Sequence, residues 1–227
     1  MRVRIHIEYD GTKYVGWQKQ KNGKSIQEEI ENCLLNIYKK EIKLSVAGRT
    51  DSGVHALEQV AHFDTNRKIE PKKIYLAINF LLKKSGNDIS ILSSTETSKD
   101  FHSRFSAKKR TYLYKILNRR SQSPINYNRM YFVPYELDEV LMRESAVHLI
   151  GLHDFNSFRS AECQSKKSIR SIDTIDIRRD VDQILIEISA KSFLHNQVRI
   201  IVGTLINIGR KYWKKEKILD ILNSKNR

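Results

Sequence analysis

Apolar and polar residues alternate strictly at the start of the chain, a pattern typical of a half-buried strand. The apolar positions of this strand are Val3, Ile5, Ile7 and Tyr9. Apolar residues then recur at helical spacing behind Ser25, and Ser25 with Glu28 matches the capping-box pattern of a helix N-terminus. The chain therefore begins with a strand followed by a helix.

Four more elements complete the first half, residues 1–105. The pattern predicts a strand ending at Val46, a strand over 57–63, a helix from Pro71 to Ser85-Gly86 and a short strand over 89–92. The order strand, helix, strand, strand, helix, strand is that of ferredoxin-like and RNA-recognition domains.

The second half, residues 106–227, follows the same theme loosely. Its predicted elements are a strand over 111–117, a loop over 119–128, a helix over 137–150 ending at Gly151, a hairpin of strands 172–178 and 183–190, and a last helix capped by Ser192. We predict an α+β fold of two ferredoxin-like or RRM-like halves, joined into an extended mixed, mainly antiparallel sheet with a basic cleft.

Charge is the strongest compositional signal. Among 227 residues, Lys and Arg number 41 and Asp and Glu number 26, which leaves a net charge of +15. Such an excess favours a polyanionic partner, with nucleic acid as the first candidate, although a solvated Lys-rich surface is the plainer alternative.

Other classes of protein are disfavoured by what the sequence lacks. Cys33 and Cys163 have no ligand-like spacing, so neither a zinc site nor a disulfide framework is predicted. The sequence contains no His-rich metal pattern, no phosphate-binding P-loop and no dinucleotide fingerprint, and we expect neither a metal nor a cofactor. The charged N-terminal strand does not resemble a signal peptide and no apolar run could span a membrane, which favours a reducing cytoplasm.

Candidate chemistry is concentrated in residues 47–56, between two predicted strands. The segment holds Arg49, Asp51 and His55, and Gly48 and Gly53 allow a tight turn between them. Such a turn could present Asp51 from a rigid sheet as a nucleophile or a general base. The alternative is an ordinary β-turn with a solvated aspartate.

Three further clusters accompany this loop. Residues 101–114 alternate cations with aromatic residues, which suits contacts to phosphates and unpaired bases but also fits an exposed basic strand. Residues 153–159 are polar and favour structural support of a neighbouring helix terminus. Arg199 lies one turn into a predicted apolar helix, where a carboxylate partner or a surface position would both explain it.

Together these motifs resemble the TruA family of tRNA pseudouridine synthases over almost the whole chain. The matching residues are Tyr9-Asp10-Gly11-Thr12, Tyr14, Gly16-Trp17-Gln18, the run from Gly48 to Ala56, Arg104-Phe105-Ser106-Ala107, Arg110, Tyr112, His153-Asp154-Phe155, Ser157-Phe158, Phe193-Leu194-His195, Val198-Arg199 and Gly203. They occur in the order of the family and with its approximate spacing.

The resemblance implies an activity, partners and a set of residue roles. Members of the family isomerise uridine at positions 38, 39 and 40 of the tRNA anticodon arm, as homodimers without cofactor or metal. In this chain Asp51 would be the nucleophile, Tyr112 would stack on the base and assist proton transfer, and Arg199 would pair with Asp51. We expect the substrate to be held also by a group of basic residues, namely Arg49, Arg104, Arg110 and His55.

The residue types suit this chemistry but leave its course open. An ionised carboxylate could attack the ribose C1′ or the base C6, or remove a proton from C2′. A catalytically silent tRNA-binding protein or RNA chaperone with the same fold is the main alternative. An aspartic protease, suggested by Asp51-Ser52-Gly53, would need a second carboxylate that shares a proton, and Arg49 would oppose such sharing.

Two positions depart from the family pattern. The family continues past its last helix to another strand, whereas this chain stops at Arg227, so we expect a change at the edge of the second sheet. A proline that usually follows the second helix is absent after Asn79-Phe80-Leu81-Leu82, and we expect a local change in a loop there.

Overall fold

The computed structural model describes residues 1–67 and 69–226. Arg227, the residue at which the sequence departs from the family pattern after the last helix, lies outside the described residues. The chain divides into two compact units, Met1–Ala107 and Lys108–Arg227. Each unit has its own sheet and its own apolar core. The predicted α+β class is therefore confirmed.

The first unit has the predicted ferredoxin-like order. Its elements are β1 (Arg2–Tyr9), α1 (Ile26–Tyr38), β2 (Ser45–Val46), β3 (Ala56–Asp64), α2 (Pro71–Lys84) and β4 (Ile89–Thr97). The strands are arranged β2-β3-β1-β4, and every neighbouring pair is antiparallel. Val3, Ile5 and Ile7 are fully buried, as the alternation predicted. The Ser25 hydroxyl accepts a hydrogen bond from the Glu28 amide at 3.3 Å, which confirms the predicted helix cap.

The strand predicted to end at Val46 is much shorter than expected. Ile42 and Leu44 are buried but lie outside β2, because the Leu44 amide donates to the Glu31 carboxylate on α1 at 2.9 Å. A side chain thus replaces a neighbouring strand as the partner of this backbone group.

The segment that lacks the family proline is not in a loop. Asn79 and the three residues after it lie within α2, which continues to Lys84. The Asn79 amide group donates to the Ile91 carbonyl at 2.8 Å and accepts from the Ile91 amide at 2.7 Å. One side chain therefore satisfies both backbone groups of Ile91 on β4, an edge strand whose backbone would otherwise lack a partner there.

The second unit contains five strands and three helices among its described residues. These are β5 (Arg110–Asn118), β6 (Tyr131–Val133), α3 (Glu139–Ala146), β7 (Gly151–Asp154), β8 (Ile169–Asp180), β9 (Gln183–Ala190), α4 (Gln197–Gly209) and α5 (Lys217–Ser224). The sheet order is β6-β5-β9-β8-β7, and only the β5–β6 pair is parallel. The sequence did not predict β6 or β7, which are short edge strands without a clear alternation.

The strands of the described residues fall into two sheets, one in each unit. The single joined sheet that we expected from the sequence is not among them. The cap predicted at Ser192 is also wrong, because α4 begins only at Gln197 and the Gln197 side chain accepts from the Leu194 amide at 2.8 Å. Arg199 therefore lies within the first turn of α4, rather than one turn into it.

Candidate active site

The loop that contains Asp51, residues 47–55, connects β2 to β3 and is called the Asp51 loop below. Its first residues are fastened to β3. The Ala47 amide donates to the Val60 carbonyl at 2.8 Å, and the Gln59 side-chain amide donates to the Gly48 carbonyl at the same distance. Asp51 itself is half-buried and Arg49 is exposed. The strand therefore fixes where the loop begins and leaves its tip to other contacts.

Thr50 fastens the middle of the loop to the segment that follows β1. Its carbonyl accepts from the Trp17 amide at 3.0 Å, and its hydroxyl lies 2.8 Å from the hydroxyl of Tyr9. Tyr9 and Trp17 are almost fully buried. Burial raises the pKa of Tyr9, while the hydrogen bond to Thr50 opposes that rise. The residue before Asp51 is thus bonded to the hydroxyl of one deeply buried aromatic residue, Tyr9, and to the backbone amide of another, Trp17.

Glycines permit this close approach of two backbones. A Cβ atom at Gly16 would lie 2.7 Å from the Thr50 carbonyl oxygen, and Gly16 has a φ of +106°. A Cβ atom at Gly11 would lie 2.1 Å from the Val54 carbonyl oxygen. Neither space admits a side chain, so the two glycines place the segment after β1 directly against the Asp51 loop.

His55 closes the far end of the loop. The Gly11 amide donates to His55 Nδ1 at 3.0 Å, and the Asp10 carboxylate lies 3.1 Å from the same nitrogen. The side chain of His55 remains about one-third exposed. This histidine, predicted to bind substrate, thus also anchors the Asp51 loop.

Gln59 is a contributor to the site that the sequence analysis missed. It is 8% exposed and lies on the same side of β3 as the buried Ala61 and Phe63. A polar residue at an apolar position of a strand is the signal that could have identified it, since buried polar groups need a hydrogen-bond partner.

The predicted site residues of the second unit lie on β5 and at the start of α4. Tyr112 is half-buried, and its ring meets that of Phe193 edge-on with centroids 5.2 Å apart. Burial raises the pKa of Tyr114, and the positive charge of Arg199 opposes that rise. Arg199 is therefore close enough to Tyr114, two residues along β5 from Tyr112, to affect it electrostatically. The Arg110 guanidinium donates to the Lys191 carbonyl.

The predicted residues thus form two sets. Asp51, Arg49 and His55 share one loop of the first unit, whereas Tyr112 and Arg199 belong to the second. The ion pair between Asp51 and Arg199 stays a prediction.

The polar segment 153–159 supports a helix end, as predicted. The Asn156 side-chain amide donates to the Lys225 carbonyl at 2.5 Å, and the hydroxyls of Ser157 and Ser224 lie 3.2 Å apart. These contacts fasten the segment to the C-terminal end of α5. Its role within the second unit is structural.

Arg104 lies in a turn that is attached to β3 through a buried histidine. The Ser103 amide donates to His62 Nδ1 at 3.2 Å, and His62 is 4% exposed. Burial lowers the pKa of His62, and the charges of Arg2 and His102 lower it further. The folded chain therefore favours the neutral imidazole.

We expect acid to weaken the first unit through His62. The folded-state pKa of His62 lies below the ordinary value of 6.5. The contribution of neutral His62 to the free energy of unfolding is therefore complete above pH 6.5 and is lost as pH falls toward the folded-state pKa. Urea unfolding at pH ~7.5 and ~5.5 measures the loss, which should shrink in His62→Gln. His148→Gln, at an exposed position, is the matched control. An unchanged pH dependence in His62→Gln would contradict the assignment.

No group of three or more potential metal ligands lies together among the described residues. Burial, with a smaller contribution from Glu29, raises the pKa of Cys33 to about 11, which fits its predicted packing role. No described helix has the length and apolar character needed to cross a bilayer.

Comparison with known proteins identifies the family of this chain. The sequence model of the family described as tRNA pseudouridine synthase matches residues 5–106 and 145–227. The tRNA pseudouridine synthase A of Anaplasma marginale (strain Florida) is 47% identical, over 100% of this chain and 92% of the relative. Those of Ehrlichia chaffeensis and Wolbachia pipientis wMel are each 48% identical, over 100% and 98% of this chain and 92% and 91% of the relatives. The chain therefore belongs to the tRNA pseudouridine synthase family.

Proposed function

We propose that this chain isomerises uridine to pseudouridine at positions 38, 39 and/or 40 of the tRNA anticodon arm, with Asp51 as nucleophile. Family membership supports the reaction class and tRNA as substrate. The observation that carries the residue assignment is the fastening of the Asp51 loop, because Thr50 and His55 are bonded on either side of a half-buried Asp51. Rigid presentation is what a nucleophile requires.

The reaction breaks the N-glycosidic bond, turns the uracil and rejoins it to the ribose through C5. The Asp51 carboxylate either attacks C1′ or C6, or removes a proton from C2′. In the proposal, Tyr112 stacks on the detached uracil and assists proton transfer, and Arg199 keeps Asp51 ionised. Arg49, Arg104 and His55 bind the substrate together with Arg110, and exposing the stacked uridine costs a few kcal/mol that such contacts offset.

The proposed partners follow from charge and from the family. A net charge of +15 fits a tRNA anticodon stem-loop, and the family resemblance supports a homodimer that works without cofactor or metal. The reducing cytoplasm is proposed from the cysteine usage of the sequence.

The test is to incubate the purified protein with an unmodified tRNA transcript, without cofactor or metal, and to map pseudouridine by a chemical stop assay. Stops at positions 38 to 40 support the proposal. Binding without product would instead favour the catalytically silent RNA-binding alternative. Binding that does not weaken with salt would contradict a basic RNA surface.

Arg199→Ala should lower kcat by at least about 30-fold, because truncating one partner of a charge pair leaves the other uncompensated. Arg199→Lys should retain part of the activity, since it keeps the charge but loses the planar guanidinium. Arg178→Ala is the matched control, because Arg178 pairs with Asp176 at an exposed position of β8. A wild-type rate in Arg199→Ala would show that Arg199 does not belong to the active site.

A further inference from the structure

Phe105 is 75% exposed, yet it stands on a firmly built turn of the first unit. The turn, residues 101–106 and called the aromatic turn below, follows β4. A single apolar residue on a surface needs no explanation by itself. Phe105 differs because the turn that carries it is held by many hydrogen bonds, and this construction needs an explanation.

The base of the aromatic turn is tied to three strands. The Arg2 guanidinium on β1 donates to the Phe101 carbonyl at 2.7 Å. The Ser103 hydroxyl donates to the Ser45 carbonyl on β2 at 2.8 Å, and the Ser103 amide is bonded to His62 on β3. The turn therefore cannot move independently of the sheet.

Bonds within the turn fix its tip. The Ser106 amide donates to the His102 carbonyl at 2.8 Å, and the His102 amide donates to the Ser106 hydroxyl at 3.0 Å. The Arg104 amide donates to His102 Nδ1 at 3.2 Å. Because the backbone on both sides of Phe105 is held, little ordering entropy remains to be lost when a partner contacts the ring.

The chemistry around the ring selects the class of partner. The Arg104 guanidinium lies 5.8 Å from the centre of the Phe105 ring, and the His102 ring lies 4.6 Å from it. In the sequence, Lys108 and Lys109 follow after Ser106 and Ala107. An exposed aromatic ring beside cations suits an unpaired base with its phosphate, because the base stacks and the phosphate is neutralised.

The position of the turn relates it to the proposed site. Ser45, which the turn contacts, belongs to β2, and β2 leads directly into the Asp51 loop. His62 lies three residues along β3 from Gln59, which holds the start of that loop, a distance of about 10 Å. The aromatic turn and the Asp51 loop are therefore carried by the same two strands, so one bound RNA could contact both.

We propose that Phe105 stacks on an unpaired base of the tRNA substrate outside the reacting uridine, while Arg104 contacts a neighbouring phosphate. This inference rests on the proposed function and deepens it by assigning a second nucleotide contact. Phe105 binds substrate and takes no part in the chemical step.

The experiment compares Phe105→Ala, Phe105→Leu and Phe105→Trp in tRNA affinity, KM and kcat. Loss of one stacked base should raise Kd and KM about 5- to 100-fold in the Ala variant, with kcat at saturating tRNA nearly unchanged. Trp should restore affinity and Leu should not. Phe80→Ala, at a position 68% exposed on α2, is the matched control and should leave both constants unchanged.

A fully paired RNA duplex separates stacking from charge. Phe105→Ala should bind the duplex as wild type does, because a duplex offers no unpaired base. Wild-type KM in Phe105→Ala, or full restoration by Leu, would overturn the inference while leaving the proposed function intact. If the wild-type protein made no pseudouridine, the proposed function would fail, and the affinities of Phe105→Ala and wild type for the stem-loop would still decide the role of Phe105.

Discussion

Asp51→Asn should abolish pseudouridine formation while the affinity for tRNA stays within a few-fold of the wild-type value. The amide has nearly the shape of the carboxylate, but it is uncharged and can neither attack a carbon nor accept a proton effectively. Removing a nucleophile from a preformed site costs roughly 10⁴-fold or more in kcat. Single-turnover formation of pseudouridine and equilibrium binding of the same transcript measure the two quantities separately.

The matched control is Asp173→Asn, which removes one negative charge at an exposed position on β8. It reports how far net charge alone changes RNA affinity, and its rate should equal that of wild type. Turnover by Asp51→Asn near the wild-type rate would eliminate Asp51 as the nucleophile. Loss of both turnover and RNA binding would point to a structural role for Asp51.

The sequence predicted the elements whose stability is local or strongly periodic. β1 was recognisable from alternation, α1 from its Ser25 cap and α2 from Pro71 at its first turn. β6 and β7 could not be predicted, because each is short and exists only through pairing with β5 or β8. The start of α4 was missed for a similar reason, since Gln197 bonds the Leu194 amide from within the helix.

The candidate site also contains residues that the sequence identifies and contacts that it does not. The resemblance selected Asp51, Tyr112 and Arg199 by residue type and order, without reference to geometry. What holds the Asp51 loop depends on contacts between residues distant in sequence, such as the Tyr9 and Thr50 hydroxyls. No local pattern encodes that contact. Gln59 was missed because β3 was recognised from its apolar residues, which left its polar core position unexamined.

The contact between the segment after β1 and the Asp51 loop leads to the second prediction of a large effect on kcat. Gly16→Ala should lower kcat about 10²-fold, because a Cβ atom at this position would lie 2.7 Å from the Thr50 carbonyl oxygen. The backbones at Gly16 and Thr50 must then separate, and Asp51 is the residue after Thr50. A displacement near 1 Å at a reacting group costs a factor of about 10² in rate. The rate of pseudouridine formation at saturating tRNA measures the effect.

Gly86→Ala is the control that separates displacement from strain. Gly86 also has a positive φ, +67°, but no atom lies within 4 Å of the position its Cβ would occupy. It follows the C-terminal end of α2 and lies outside the Asp51 loop, and a Cβ atom there would displace no neighbour, so alanine should destabilise the fold by roughly 1–2 kcal/mol and leave kcat unchanged. Equal losses of kcat in the two variants would mean that Gly16 acts through stability alone. A loss confined to Gly16→Ala would mean that the segment after β1 positions Asp51 for the reaction.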